Sequence, residues 1–436
     1  MDRRIRMLVT TVAAVGFSGM LAACSQPAVE QEAAQAGTGF AAVPGEKGGM
    51  DITGPYEVVA DWPKPLSNVP GHESWTWGST QGVFAESPNR VIVAQRGELP
   101  AMPRPMARAL PEIGPSLSFP VGQAPFRNAS QGPASSPPGA GGPGADPDDP
   151  AQQWRGRMGV DARWEHTIVV FNAAGDMIED WTQWDSMLRR PHAVYINPWD
   201  AEKHVWIVDD HNHALFKFTN DGSQIVQTLG TPGERGEDGS HFNRPTFMAF
   251  TPTAMYVADG YNGTRVAKFD HEGNFLLTFG QRGEGGGGQL ETRPGYFNTV
   301  HGIAADPETG RVYVSDRTNR RIQVFDENGM FVDQWPVGER TNLQFLIVPA
   351  DRSGLWAFAD VVAKVAKYSF DGQLQYAWGS LGDWPGSFFN MHGASVDQEG
   401  NLYIVEVGGG RVQKFRPRAG ANPDYLVGRP VYAAWQ

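Results

Sequence analysis

Three histidines occupy matching places in a repeated sequence pattern. His192 begins the run "HAVYI", His301 begins "HGIAAD" and His392 begins "HGASVD". Three neutral imidazoles can bind a zinc-like ion and leave one coordination position open for a substrate, as catalytic zinc sites do. A single histidine before a strand is more often a packing or turn residue, so the metal-site hypothesis depends on how the three are spaced.

Their spacing follows a repeat of about forty residues. Clear copies begin at Arg190, Asn243 and Thr299, and weaker copies begin at Asn342 and Asn390. A sixth copy is split by a long segment rich in Pro and Gly. Each clear copy contains four short β-type runs separated by turn residues, which is the pattern of one propeller blade. The sequence therefore predicts an all-β, six-bladed β-propeller with four-stranded antiparallel blades.

The last copy has no clear outer strand, so another part of the chain must supply it. The run "YEVVADWP", residues 56–63, resembles the outer strands "GMFVDQWP" and "DMIEDW". We expect it to pair with the last blade, because a closed ring leaves no sheet edge exposed. The C-terminal run "YLVGRPVYAAW", residues 425–435, is a competing candidate for the same strand.

Alignment of the six copies gives one equivalent residue at the start of each first strand. In chain order these residues are Gln81, His192, Thr246, His301, Gln344 and His392. Histidine is thus present in alternate copies, and alternate blades of a six-fold ring are about 120° apart around a central channel. The pattern predicts that the three histidines point at the axis from three sides and form a metal site.

The same alignment places Arg96 and Tyr261 on the histidine face of the ring. Arg96 could bind a carboxylate through its planar guanidinium group, and Tyr261 could act as an acid or base. The alternatives are a surface arginine and a rim aromatic residue.

Two further sequence features have a structural interpretation. Asp209, Asp259 and Asp316 end the second strands and are predicted to accept hydrogen bonds from backbone N–H groups. The motif "HNH", residues 211–213, is interpreted as a loop in contact with solvent or the rim.

Composition limits the remaining functions. The chain has 436 residues and a formal net charge of −12, which argues against a nucleic-acid partner. Its one cysteine, Cys24, follows a basic start, an apolar run and "LAA", the pattern of a secretory signal that ends in a bacterial lipobox. An uncleaved membrane anchor is the alternative, but the apolar run is shorter than the ~20 residues of a spanning helix.

These features predict the organisation of the chain. Residues 1–24 form a lipoprotein signal, residues 25–50 a flexible tether, and residues 51–436 the propeller, with a disordered Pro- and Gly-rich insertion at about 99–163. Lipidation of Cys24 would attach the mature chain to the bacterial envelope, facing the periplasm or exterior. Ser25 favours the outer membrane if the cell is Gram-negative.

Several motifs together resemble a known family. The runs "GSHFNRP", "PGYFNTVHG" and "PGSFFNMHG", with "R-[IV]-x-x-F", are similar to the NHL repeat over most of residues 71–416. "RGELP", "LRRPHAVYI", "VADGYNGTRVAKF" and "MHGASVD" resemble peptidyl-α-hydroxyglycine α-amidating lyase. The resemblance implies zinc held by His192, His301 and His392, with Tyr261 and Arg96 completing the site. It also implies cleavage of an α-hydroxyglycine-extended peptide into an amide and glyoxylate.

This chain departs from that family in two ways. The family has a calcium in the channel whose Asp ligand directly follows the third histidine, and here that residue is Gly393, so a calcium would need backbone carbonyls. No copper monooxygenase region is present to supply hydroxyglycine, which leaves the small-molecule or peptide substrate open. Two other functions remain alternatives. One is a non-catalytic NHL propeller that binds protein partners at the envelope, and the other is a metal-dependent propeller hydrolase or lactonase.

Overall fold

The computed structural model describes residues 52–101, 108–109, 118–119, 157–284 and 289–433. Within these residues the chain forms six four-stranded antiparallel sheets, and the innermost strands contact one another in a closed ring. The all-β, six-bladed propeller is therefore confirmed. Two small additional sheets join β4 (Arg108–Ala109) to β5 (Ser118–Phe119), and β16 (Gln281–Arg282) to β17 (Tyr296–Phe297).

The strands are numbered along the chain, and each blade is given from its innermost strand outward. Blade 1 contains β2 (Trp75–Ser87), β3 (Arg90–Pro100), β6 (Ile168–Phe171) and β7 (Met177–Asp180). Blade 2 contains β8 (Pro191–Ile196), β9 (Val205–Asp209), β10 (Ala214–Phe218) and β11 (Ile225–Leu229). Blade 3 contains β12 (Pro245–Thr251), β13 (Ala254–Asp259), β14 (Arg265–Phe269) and β15 (Phe275–Phe279).

The other three blades repeat this arrangement. Blade 4 contains β18 (Val300–Ala305), β19 (Val312–Asp316), β20 (Arg321–Phe325) and β21 (Phe331–Pro336). Blade 5 contains β22 (Leu343–Ile347), β23 (Leu355–Ala359), β24 (Lys364–Tyr368) and β25 (Leu374–Trp378). Blade 6 contains β26 (Met391–Val396), β27 (Leu402–Glu406), β28 (Arg411–Pro417) and β1 (Tyr56–Val58).

The ring is closed by the N-terminal strand. β1 pairs antiparallel with β28, with Tyr56 opposite Pro417 and Val58 opposite Phe415. The Tyr56 ring also packs 5.7 Å from Trp378 of blade 5, so β1 holds two blades together. The prediction that the run at residues 56–63 supplies the missing strand is thus confirmed.

The C-terminal segment has a different role from the one considered as an alternative. Its described residues contain the 3-10 turn Pro423–Tyr425 but no strand. They lie instead against the channel mouth formed by the ends of the innermost strands, where the Tyr432 hydroxyl donates to the Val396 carbonyl at 3.0 Å. The Arg429 carbonyl accepts from the Ala350 N–H at 2.8 Å. The competing assignment of this segment as the closing strand was wrong.

The long segment between β3 and β6 begins and ends at the same place in blade 1. The backbones of Glu98 and Arg163 exchange hydrogen bonds of 2.7 and 3.0 Å, which brings residue 163 back beside β3. β6 and β7 then complete the blade. The predicted insertion at about 99–163 lies for the most part outside the described residues.

Aromatic side chains and glycines make the blades fit together. Gly329 and Gly372 have φ values of 78° and 85° in the turns before β21 and β25, a region that favours glycine. A Cβ on either would lie 2.6 Å from Phe279 or Trp335 of the preceding blade. The largest fully buried side chains include Trp206, Trp356 and Trp378. Truncation of such a residue costs about 3–5 kcal/mol.

Candidate metal centre

Each innermost strand has a β-bulge, near the start of the strand in five blades and in the middle of β2 in blade 1. The register slips by one residue in all six strands, so one extra side chain is turned out of the sheet in each blade. The bulges fall at or beside the equivalent residues of the six copies, namely Gln81, His192, Thr246, His301, Gln344 and His392. A bulge re-aims a side chain, which accounts for three histidines pointing into the channel rather than between blades.

Each axial histidine is oriented by the next blade. Nδ1 of His192 lies 2.9 Å from the Thr246 carbonyl, and Nδ1 of His301 lies 2.9 Å from the Gln344 carbonyl. Nδ1 of His392 lies 2.7 Å from the Gln81 carbonyl. A carbonyl oxygen only accepts, so each Nδ1 carries the proton and each Nε2 keeps its lone pair. This backbone support is what metal-binding histidines require of their second nitrogen.

The three imidazoles are buried and neutral. Burial lowers the pKa of His192 and His301 well below 6.5, and that of His392 to about 3. One ligand atom from each lies within 4.8 Å of the others, and the ring centroids are 4.5–5.2 Å apart. Among the described residues Nε2 of His392 has no hydrogen-bond partner, although it is buried. Three converging neutral nitrogens with fixed tautomers fit a zinc-type ion.

One phenylalanine closes the channel behind the histidines. The centroid of Phe247 is 4.9 Å from that of His192, 5.1 Å from His301 and 5.2 Å from His392. Phe247 is adjacent to the bulged Thr246 of blade 3, a blade without an axial histidine. The apolar ring separates the histidine group from the rest of the channel, which leaves the opposite face of the group for a substrate.

Tyr261 lies on that open face, on the loop that follows β13. Its hydroxyl oxygen is 3.1 Å from Nε2 of His192 and 3.2 Å from Nε2 of His301. A hydroxyl has one proton, so it donates to one imidazole at a time. The ring is surrounded by guanidinium groups, with the Cζ atoms of Arg244, Arg317 and Arg190 at 4.7, 5.3 and 5.8 Å from its centroid.

Arg96 belongs to a buried charge cluster beside the histidines. Its Nε donates to the Pro191 carbonyl at 3.3 Å, and one terminal nitrogen is 3.8 Å from a carboxylate oxygen of Asp210. Arg190 and Arg244 donate to the other oxygen of Asp210 at 3.0 and 2.7 Å. Burial, and then the Arg190 charge, lower the pKa of Arg96 to about 9, so it stays protonated at neutral pH.

The cluster has more positive than negative charge. Burial alone would raise the pKa of Asp210, but Arg190 and Arg244 hold it well below its usual range, so Asp210 is ionised. This single carboxylate contacts three guanidinium groups. Within the part of the chain that is described, one terminal nitrogen of Arg96 has no hydrogen-bond partner. A buried cationic donor without a hydrogen bond, in a cluster where one carboxylate serves three guanidinium groups, is costly, and an anionic ligand would lower that cost.

The recurring aspartates hold the loops that carry these residues. Asp209 accepts from the backbone N–H groups of Arg189 and Arg190 at 2.7 and 2.9 Å, directly before His192. Asp259 accepts from Asn243 N–H at 2.7 Å, and Asp316 accepts from Asn298 N–H at 2.8 Å. Their predicted structural role is confirmed.

The structure brings together all five predicted residues of the channel and adds others. The assignment of His192, His301 and His392 as ligands, and of Tyr261 and Arg96 as reacting groups, stays a prediction. Sequence reasoning missed Asp210, Arg190, Arg244 and Phe247. The signals were weak: Asp210 follows the repeated Asp209, and Arg190 and Arg244 both precede a proline that starts a first strand.

The "HNH" motif lies in a loop between β9 and β10, as predicted, but the expected contact with solvent was wrong. His211 and His213 are fully buried. Nε2 of His211 accepts from Arg190 at 3.0 Å, and Nδ1 of His213 accepts from the Arg244 N–H at 3.1 Å. These two histidines therefore help to hold Arg190 and Arg244 in place through hydrogen bonds.

Other predictions receive no structural test. Cys24 and the tether lie outside the described residues. In the described residues the axial ligand group contains histidines alone, with Gly393 in β26 directly after His392, so no carboxylate for calcium is identified there. None of the helices in the part described reaches the length and apolar character needed to cross a membrane.

Comparison with known proteins agrees with the fold. Residues 297–325 match the NHL repeat family. The chain is 29% identical over 282 residues to human NHL repeat-containing protein 3, covering 59% of this chain and 75% of that protein. It is 28% identical over 278 residues to peptidyl-alpha-hydroxyglycine alpha-amidating lyase 1 of Drosophila melanogaster, covering 59% of this chain and 50% of the fly protein. The alignment therefore spans half of that lyase.

One solved structure is also similar. Virginiamycin B lyase from Staphylococcus aureus superimposes with a TM-score of 0.43 and 12% identity, over 81% of this chain and 97% of that one.

Proposed function

We propose that this protein is a metal-dependent carbon–nitrogen lyase that cleaves an α-hydroxyglycine-type substrate into an amide and glyoxylate. The observation that carries the proposal is the position of the Tyr261 hydroxyl, 3.1 and 3.2 Å from two converging imidazole nitrogens. A hydroxyl so close to two nitrogens that could hold a metal is within reach to exchange a proton with a substrate bound there. Similarity to the fly amidating lyase supports the same reaction.

The arginine cluster defines the substrate class. An α-hydroxyglycine unit has a carboxylate on the carbon that also bears the hydroxyl and the amide nitrogen. Arg96 has one terminal nitrogen that makes no hydrogen bond within the described residues and can bind that carboxylate with charge-assisted hydrogen bonds. Asp210 keeps Arg190 and Arg244 in place, so three cations face one anionic end of the substrate. The substrate is therefore expected to be anionic next to its reacting carbon.

The reaction needs one proton to move between two atoms of the substrate. Zinc held by His192, His301 and His392 would supply Lewis-acid polarisation of the hydroxyl. Tyr261, as a phenolate, would accept the hydroxyl proton while the carbon–oxygen double bond of glyoxylate forms and the carbon–nitrogen bond breaks, and it would then pass that proton on. The amide nitrogen takes up the proton, so the atoms balance without water. Phe247 keeps the rest of the channel out of contact with the reacting group.

Two measurements on the full chain test this proposal. Metal analysis should give zinc bound at the axial histidines, and N-benzoyl-α-hydroxyglycine should release glyoxylate, detected by a coupled dehydrogenase. Zinc bound without glyoxylate release from any N-acyl-α-hydroxyglycine would favour the hydrolase or another substrate. A folded chain that binds no metal at the axial histidines would instead favour a non-catalytic binding propeller.

We also propose that the chain is attached to the bacterial envelope through lipidated Cys24. The lipobox-like sequence that ends at Cys24 supports this. Expression of Cys24→Ala in a bacterial host tests it: the variant should leave the membrane fraction, whereas the parent should label with a palmitate analogue. A parent chain without label would contradict the assignment.

A further inference from the structure

A second group of metal-binding side chains lies in blade 1, away from the channel. It contains His72 on the loop before β2, Glu98 in β3, and Glu165 and His166 directly before β6. We call these four residues the blade-1 cluster. One ligand atom from each lies within 4.8 Å of all the others. Three separate chain segments therefore meet in one place through groups that bind divalent metals.

Glu98 is the centre of this cluster. Its side chain is fully buried, and its two oxygens lie 2.8 Å from Nδ1 of His72 and 2.6 Å from Nδ1 of His166. The imidazole rings are 4.8 Å apart and meet edge to face. Glu165 approaches from the solvent side, with one oxygen 3.9 Å from Nε2 of His72. The set therefore has two nitrogen and two oxygen donors, which is a complete four-ligand set for a zinc-class ion.

The backbone around His166 is held in an unusual conformation. His166 has a φ of 57°, in the left-handed region that non-glycine residues adopt only when the surroundings impose it. Asp185 imposes it here, accepting from the N–H groups of His166 and Thr167 at 3.0 Å each. The imidazole is thereby directed at Glu98 in a fixed orientation, as ligand preorganisation requires.

The surroundings of the cluster are anionic and open to solvent. A cavity next to it is lined by His72, Glu165, His166, Asp180 and Asp185. Arg163 is a cation beside the cluster: it stacks 4.3 Å above the Trp75 ring, and one terminal nitrogen donates to the Gly71 carbonyl and lies 3.4 Å from Nδ1 of His72. A divalent cation can thus reach the cluster from the cavity, and the carboxylates exceed the positive charge around it.

We propose that His72, Glu98, Glu165 and His166 form a second divalent-metal site, of the zinc class, with a structural role. With all four positions taken by protein, the ion would have no open position for a substrate. It would join the loop before β2, the strand β3 and the segment before β6, where the chain re-enters blade 1. Because Glu98 is two residues from Arg96 on β3, the site also anchors the strand that carries Arg96.

Zinc stoichiometry of the full chain tests this proposal. The protein is stripped with a chelator, titrated with Zn²⁺ alone, and its bound zinc is measured after gel filtration. We expect two equivalents per chain in the parent and one in each of His166→Ala and His301→Ala. The double variant should bind none. The matched control His241→Ala removes a partly exposed histidine outside both groups and should keep two.

A parent that binds one equivalent, lost in His301→Ala, would overturn the proposal, as would a folded His166→Ala that keeps two. If His166→Ala does not fold by circular dichroism, the more exposed Glu165→Gln decides instead. It should weaken zinc affinity at one of two sites by about 10-fold or more, and unchanged affinity at both would refute the site. The readout is bound metal, so the outcome is independent of the proposed lyase activity.

Discussion

The axial group and the blade-1 cluster both contain histidines, but these histidines differ in their hydrogen-bond partners and in the direction of their pKa shifts. Each axial histidine donates its Nδ1 proton to a separate backbone carbonyl, and all three are neutral. In the blade-1 cluster His72 and His166 share one buried carboxylate, Glu98. Burial alone would lower the pKa of His166, but Glu98 holds it above its usual value.

This difference separates a site suited to chemistry from a site suited to structure. The axial group offers three candidate ligand nitrogens and has positive side chains beside it. The blade-1 cluster offers four candidate ligands and has acidic neighbours such as Asp180 and Asp185. Catalytic zinc sites keep a free position and structural sites do not. Histidine thus differs between the two groups in the partner of its Nδ1 atom, which is a backbone carbonyl in the axial group and the Glu98 carboxylate in the blade-1 cluster.

Removal of one axial histidine should give the largest difference between the axial histidines and the blade-1 cluster in bound zinc and in activity. His301→Ala is expected to lose the channel metal and to lower glyoxylate release at least about 1,000-fold, because several kcal/mol of transition-state stabilisation are removed. Zinc at the blade-1 cluster should remain. Zinc analysis and the coupled glyoxylate assay check this, with His241→Ala as the control. Full activity in folded His301→Ala would show that the axial group is not the reaction centre.

The next largest effect concerns the proton-transfer group. Tyr261→Phe should lower kcat about 100-fold or more while bound zinc stays at the parent level, because proton transfer but no metal ligand is lost. KM should change little. Steady-state kinetics give both values, and Tyr296→Phe, in β17 outside the channel group, is the matched control. An unchanged kcat would assign the proton transfer to another group.

A smaller effect is expected at the carboxylate-binding end. Arg96→Gln should raise KM for N-acyl-α-hydroxyglycine about 10- to 100-fold, since a hydrogen bond to a charged group contributes about 1.5–3 kcal/mol. Inhibition by small free carboxylates should weaken in parallel. Arg157→Gln, an exposed arginine paired with Asp161, serves as control. Equal inhibition of parent and variant would remove Arg96 from substrate binding.

The mildest test is a titration of the metal-free protein. The imidazole of His166 should stay protonated above pH 6.5, whereas those of His192, His301 and His392 should remain neutral well below it. The raised pKa of His166 contributes stability that is complete below pH 6.5 and is lost as the pH rises through its folded value. The axial histidines do the reverse, since stability falls as acid protonates them in the unfolded chain. Histidine NMR signals followed against pH would detect either pattern, and similar titration of all four would contradict the difference.

Much of the fold and half of the channel site could be predicted from the sequence. The repeated sequence pattern predicts the number and order of the strands, because every blade has the same alternation of buried and exposed side chains. His192, His301 and His392 could be found because a ring converts equivalent places in alternate repeats into neighbours around one axis. Tyr261 and Arg96 followed from the same alignment, since strand ends on one face share one side of the ring.

The rest of the site has no such periodicity. Asp210 and Arg244 do not follow the pattern of the repeat. Their ion pair depends on how two adjacent blades pack. In the sequence, Phe247 does not differ from the other apolar residues of β12. Its contact with the histidines depends on the β-bulge, which only the structure shows.

The sequence by itself determined the six-fold repeat, the strand alternation and the three equivalent histidines, because these are properties of local patterns and of their spacing. Only the tertiary structure decided what each histidine nitrogen contacts. The carbonyls behind the axial histidines come from neighbouring blades, and Glu98 and His166 are 68 residues apart in the chain. Charge and tautomer depend on those contacts, so the chemistry of each group is a consequence of packing rather than of sequence pattern.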